Sequence, residues 1–316
     1  MFRRLTLIGA LAACSVACQD EVPPVAAPTS TPAAASAQFW STVPQTDDQR
    51  WEVLRRIRAI DPCALLPREV LSTHAAVRTV TSDGPLPTGC RAVLESGGPE
   101  PIEIEWAAQK GPLRGGFTET RRLGDIAVNV DPPEPSTSSV PATCRFTAQF
   151  PAEVIVFFSV EAAAPADPCA IGDPLLDTVL TRWRTEPPHG TSPDTATTVL
   201  TGADPCAVLP ALSVAPEPAG DQLVQMCEFR HDGEEMVISY NYDGTATLDE
   251  DEKTELDGRS VYRSQHQDFH IYSAAVGERI AEGESYEGDI VPVVSVTGKD
   301  EDMVERTMRE LLARFT

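Results

Sequence analysis

Near its end the chain spaces Val304, Met308, Leu311, Leu312 and Phe315 at i, i+4, i+7, i+8 and i+11, one apolar stripe along a helix. The same period puts Leu176, Val179, Leu180 and Trp183 on one face of an earlier helix. The stretches before these helices alternate instead. "CRAVLESGGPEPIEIEWAA", from Cys90, and "CEFRHDGEEMVISYNYD", from Cys227, each predict a strand, a glycine-containing turn and a second strand. "VIVFFSV" (154–160) is apolar at nearly every position, which predicts a strand covered on both faces, in a sheet with helices on each side. "IVPVVSV" (290–296) is its counterpart, and Pro292 argues for an edge or a bulge there.

These parallels belong to a longer repeat. "DPCALLP" (61–67) and "DPCAVLP" (204–210) agree at six of seven positions, and each precedes a cysteine that opens a strand. "GDIAV" (124–128) then corresponds to "GRSVY" (258–262). Each copy is expected to hold a helix, about five strands and a closing helix. The expected fold class is α+β: two tandem copies of a disulfide-stapled domain, mainly antiparallel sheet with flanking helices, over 46–185 and 198–316. "TEPPHGTSPD" (185–194) has linker composition, and 186–197 is assigned to the link.

Asp-Pro suits a helix start, because Asp caps free N–H groups and Pro presets φ at the first position. A third Asp-Pro-Cys places Cys169 at the closing helix of the first copy, and Cys144 opens the strand "CRFTAQF". The matching regions of the second copy, "FHIYSAA" and "KDEDMVERTM", contain neither cysteine. Joint absence is what a covalent pair predicts. Internal comparison therefore pairs Cys63 with Cys90, Cys144 with Cys169 and Cys206 with Cys227, which implies an oxidising compartment. Lacking the later pair, the second copy is expected to open more easily, near the acidic run at 248–257.

The first residues agree with that compartment. "MFRR" is basic, and "LTLIGALAA" is apolar but too short to span a bilayer. It ends in "LAAC", which resembles the lipobox of bacterial lipoproteins; the resemblance implies diacylglycerol on Cys14 and cleavage before it. "SVAC" offers Cys18 instead, and maturation there leaves six cysteines to pair, whereas maturation at Cys14 leaves Cys18 without a mate. An ordinary secretory signal is the other reading. Residues 1–18 are thus assigned to the signal and lipobox, and the Pro/Ala-rich 19–45 to a disordered spacer. The "DPCALL"-type motifs, each followed by a second cysteine, resemble actinobacterial envelope lipoproteins of unknown function over residues 55–316. That resemblance implies location and architecture and supplies no catalytic residues.

A net charge of -23 repels phosphate backbones and argues against nucleic acid. Two stretches imitate metal sites. "SYNYDGTATLDE" sets Asn241, Asp243, Gly244 and Glu250 where a calcium loop needs them, yet Ser239 stands where it needs Asp. "HQDFH" would put His266, Asp268 and His270 on one face of a strand, a zinc-like set that any solvated strand face also produces. No G-x-S-x-G, S-x-x-K, P-loop or G-x-G-x-x-G occurs. The expectation is a non-catalytic protein, tethered by lipid to the outer side of the cell membrane, with no cofactor. It would bind a small-molecule ligand or an envelope protein. The alternatives are a metal-dependent enzyme or hydrolase in the second copy, and a structural or assembly factor of the envelope.

Overall fold

A computed structural model of the chain describes residues 32–82, 84–111, 120–133, 140–280, 284–285 and 288–315. Helices α1 (Pro32–Trp40), α2 (Asp47–Ala59) and α3 (Arg68–Leu71) precede seven strands. These are β1 (Val77–Thr81), β2 (Gly89–Leu94), β3 (Ile102–Lys110), β4 (Arg121–Leu123), β5 (Ile126–Asp131), β6 (Ala142–Phe150) and β7 (Val154–Ala162). Helix α4 (Pro168–Trp183) closes the first unit, and α5 (Leu209–Leu212) opens the second. There follow β8 (Met226–His231), β9 (Glu234–Gly244), α6 (Thr245–Leu248), β10 (Glu252–Leu256), β11 (Arg259–His266) and β12 (Phe269–Ala275). The chain ends with β13 (Glu284–Ser285), β14 (Gly288–Gly298) and α7 (Glu301–Leu312).

The strands make two antiparallel sheets. The first runs β1-β2-β3-β7-β6-β5-β4; the second runs β10-β11-β12-β14-β9-β8, with the short β13 on β14. Counted from the cysteine-bearing strands β2 and β8 and leaving β13 aside, both sheets pass through their strands in the same succession. The apolar stripe of α4 (Leu176, Val179, Leu180, Trp183) is buried against the first sheet, where Trp40 packs edge-on against both Trp183 and Phe150. The stripe of α7 is buried against the second, from Val304 through Leu312. Gly172 permits the close approach of α4 to β6, since a Cβ there would lie 2.5 Å from the Phe146 ring.

All three expected disulfides are present, with Cα–Cα distances of 5.3 Å (Cys63–Cys90), 5.2 Å (Cys144–Cys169) and 5.1 Å (Cys206–Cys227). The Asp of each motif caps as its chemistry requires. Asp167 Oδ1 accepts from Cys169 N (2.9 Å) and Ala170 N (3.2 Å), Asp204 Oδ1 from Cys206 N (3.0 Å), and Asp61 Oδ1 from Ala64 N (3.2 Å). Only the Cys169 motif starts a long helix. Cys63 and Cys206 sit in single 3-10 turns, Cys63–Leu65 and Pro205–Val208. Where the first unit ties its closing helix with a disulfide, the second uses Arg259, whose guanidinium donates to Leu312 O (3.1 Å) and Phe315 O (3.0 Å).

Four expectations need correction. The spacer reading fails over 32–45, because α1 lies there and buries Trp40 completely in the first core; residues 19–31 are outside the described set. The link is bound rather than free: Ile60 bridges Pro188, and Asp61 N donates to Pro187 O (2.8 Å). β7 is not covered on both faces along its whole length, since on the face away from α4 Ile155 is buried but Phe157 is 39% exposed. Finally, Pro292 stands in β14, inside the sheet. In an antiparallel strand one residue's N–H and C=O point to the same side. Pro292 O accepts from Val276 N (2.9 Å), just beyond the end of β12, so the missing donor removes no bond to β9.

Replacing Cys144 and Cys169 together by Ser frees a loop of 25-residue separation, and the expected loss is about 3–4 kcal/mol by loop closure. Urea unfolding followed by tryptophan fluorescence checks it, with the loss confined to the transition of the first unit, which holds Trp40, Trp106 and Trp183.

Candidate functional site

The two units meet along a seam built mostly from polar groups. Arg58, on α2, is only 7% exposed, so its charge needs partners. Its Nη1 lies 3.0 Å from Asp204 Oδ1, and its Nε donates to Val224 O at 2.8 Å. Burial pulls the guanidinium below its ordinary pKa, and the neighbouring Asp204 carboxylate acts against that. Lys110, also buried, donates from Nζ to Gly220 O (3.1 Å), and Asp47 Oδ1 accepts from Ala219 N (2.7 Å). Ala219 and Val224 belong by sequence to the second unit but are packed into the first core. Trp51 is packed against both cores.

The connecting segment is clamped by Asp61, which is fully buried. Its carboxylate accepts from Ser192 N (2.9 Å) and from the Thr195 hydroxyl. Ala196 N then donates to Ser82 Oγ (2.7 Å), and Thr198 Oγ1 lies 3.1 Å from the Tyr242 hydroxyl. Burial holds the Tyr242 phenol above its ordinary pKa, which keeps that contact a neutral hydrogen bond. Tyr242 N donates to Pro85 O at 3.2 Å and so fixes the end of β9 beside the loop before β2.

This contact borders an open cavity of about 1020 Å³. Its floor is the face of the first sheet turned away from α4, and its walls are Pro85 and Leu86 on one side and Tyr242–Gly244 and Ile290 on the other. Strand register sets two rows of floor residues. One runs Gly89–Ala107–Phe157–Thr147 and the other Arg91–Glu105–Ser159–Arg145, across β2, β3, β7 and β6. Arg91 Nε is shielded from water and has no hydrogen-bond partner. The corresponding face of the second sheet is occupied differently: Leu248 of α6 packs there on Val291 and Val293 of β14.

Of the sequence candidates, Asp243 and Gly244 stand in the wall of this cavity, and the histidines, Asp268, Asn241 and Glu250 lie elsewhere. His266 ends β11 and pairs with Phe269, while His270 pairs with Gln265 across the turn at Gln267 and Asp268. Cross-strand partners share a face and successive residues alternate, so the two imidazoles point to opposite faces. His270 instead faces α7, with Nδ1 3.9 Å from Glu301 Oε2. Ser239, Asn241 and Asp243 lie along strand β9, and Glu250 follows α6, so no calcium-type loop forms. Among the described residues no group of three or more His, Cys, Asp or Glu is placed to hold a metal ion. Cys14 and Cys18 lie outside the described residues, and no described helix is long and apolar enough to cross a membrane.

Sequence reasoning missed Phe157, Arg91 and Arg145. The available signal was a large aromatic inside "VIVFFSV" at a position that alternation assigns to the face opposite Phe158. No protein-family model and no curated protein sequence matches the chain. Two solved structures align at 13% identity: the di-domain ARO/CYC BexL from the BE-7585A biosynthetic pathway (84% of this chain, 87% of that one, TM-score 0.17) and DynU16 from the dynemicin biosynthetic locus (87% and 92%, TM-score 0.15). At those scores neither likeness carries an argument about fold or activity.

Asp204→Ser keeps a capping oxygen for Cys206 but strands the buried Arg58 charge. It is expected to cost about 2–3 kcal/mol, and Arg58→Met, which leaves Asp204 free to hydrate, clearly less. Urea midpoints of the two variants decide the order.

Proposed function

We propose that this chain is a lipid-anchored, extracytoplasmic binding protein that holds a small-molecule ligand in the cavity at its seam. One observation carries the reading. A large, partly apolar cavity lies at the junction of two units, with an aromatic ring exposed on its floor and polar groups beside it. Its described lining has no histidine, and its one cysteine, Cys90, is committed to a disulfide. Three disulfides suit the oxidising space that a lipobox-like amino terminus implies.

The two units are, on this reading, products of one duplication that then diverged. The common strand succession and the shared Asp-Pro-Cys staple support it. Divergence left binding to the first unit, whose sheet face is open, and gave the second unit the role of wall.

Two measurements test the proposal. Nile red, a neutral apolar fluorophore, should bind saturably to the oxidised chain carrying Cys14→Ser and Cys18→Ser. Phe157→Asp should weaken that binding at least about tenfold, since it sets a charge on an apolar floor, whereas Val43→Asp, away from the cavity, should leave it unchanged. Equal effects of the two substitutions would remove the cavity from the reading. For the anchor, mass spectrometry of the mature amino terminus is expected to find a diacylglyceryl cysteine at residue 14, or failing that at 18; an unmodified residue there rules out the tether.

A further inference from the structure

We infer that the cavity takes an uncharged, flat aromatic ring system that carries a hydroxyl donor on its edge. The inference rests on the binding reading above and goes further, to the chemistry of the ligand. It follows from a slot in the cavity floor. Phe157 on β7, Ala107 on β3 and Gly89 on β2 are successive cross-strand partners, so they stand side by side on one face. Phe157 raises an exposed aromatic ring at one end of the slot. At the other end the chain turns over Gly89. Gly89 N donates to Leu86 O at 2.9 Å, and that oxygen would lie 3.2 Å from a Cβ at Gly89. Between the ring and the turn, only the Ala107 methyl rises from the row.

The width of the slot favours a flat body. From the strand that carries the ring to the strand under the turn is two strand spacings, about 10 Å. A ring centred over Ala107 is one spacing, about 4.8 Å, from either wall. Aromatic pairs hold their centroids about 4.5–7 Å apart, so that place allows stacking on Phe157. Carbon contacts of about 3.5–4 Å on both sides use about 7–8 Å of the width. A planar ring fits that space, and a puckered saturated ring, thicker by its axial hydrogens, fits it less well. Leu86 and Ile290 keep the walls apolar.

Charge favours a neutral body. Two residues further along β2 and β3 the slot opens on Arg91 and Glu105, which pair by register. In the same row Asp131 of β5 stands opposite Arg145, and Asp243 lines the facing wall. Row and lining therefore hold no net positive charge to attract an anion, in a chain of net charge -23. Glu105 is exposed at the end of the slot, and an ionised carboxylate accepts hydrogen bonds but donates none. It suits a hydroxyl on the edge of the ring and repels a second carboxylate.

The probes are naphthol, its saturated counterpart decahydronaphthol and naphthoate, all substituted at the same ring position. Each is measured by equilibrium dialysis against the oxidised chain carrying Cys14→Ser and Cys18→Ser. Naphthol is expected to bind about tenfold more tightly than either of the others, or about 1.4 kcal/mol. Ala107→Leu, which raises a branched side chain in the slot, should abolish the preference for naphthol over decahydronaphthol, whereas Ala107→Ser, which leaves the slot open, should keep it. Glu105→Gln should bring naphthoate closer to naphthol. Equal binding of naphthol and decahydronaphthol overturns the inference, and Nile red binding that Phe157→Asp still weakens then leaves the cavity reading standing. Tighter binding of naphthoate than of naphthol overturns the neutral assignment. If none of the three binds, the inference falls, and Nile red reports whether the cavity reading falls with it.

Discussion

A guanidinium taken out of water is the constraint around which this molecule is arranged. Arg58 lies at the centre of the seam and cannot stay charged there without acceptors. It finds one on Asp204 and one on Val224 O, both from the second unit. These contacts, with those of Lys110 and Asp47, hold the second unit against the first. This docking brings the end of β9 against Pro85. The cavity exists only because the contact forms there. The pair between Arg58 of α2 and Asp204 of the second unit thus belongs to the same docking that walls the cavity on the other face of the first sheet.

The Asp-Pro-Cys motif serves this arrangement in three ways. Its Pro fixes the turn, its Cys staples the turn to a strand, and its Asp is left with a carboxylate oxygen to spend according to place. Asp167 uses its side chain to cap α4. Asp204 caps its own turn and also meets Arg58. Asp61 caps Ala64 and clamps the connecting segment through Ser192 and Thr195. The motif repeats because the local problem repeats; its carboxylates differ because their surroundings do.

Covalent and periodic features were legible from the residues alone. Cysteines absent together marked Cys144–Cys169, and the 3.6-residue stripes marked the buried faces of α4 and α7, since both signals lie within one segment. What depends on distant segments was not. No local pattern shows that "TEPPHGTSPD" is held by Asp61, or that Trp40, after an Ala-rich stretch, fills a place between Phe150 and Trp183. The hairpin at 266–270 misled for a related reason. Alternation was read through the turn as though one strand continued, and the turn at Gln267 and Asp268 inverted the face of every residue after it. The cavity was illegible because its floor comes from four strands of one unit and its wall from the other.

The contrast between the two sheets shows how similar connectivity yields unlike surfaces. Aligning "VIVFFSV" with "IVPVVSV" sets Phe157 opposite Val293 and Ser159 opposite Ser295. In the second unit Val293 is buried beneath Leu248 of α6, so its apolar surface stabilises the fold itself. In the first, Phe157 carries a larger apolar side chain and the residue stays 39% exposed. An exposed aromatic on a sheet face contributes less to stability than a buried one. The charges beside it are balanced along the strands, with Glu105 opposite Arg91 and Asp131 opposite Arg145. The uncovered ring is therefore what most distinguishes the first sheet face from the second, where the equivalent valine is buried in the contact with α6.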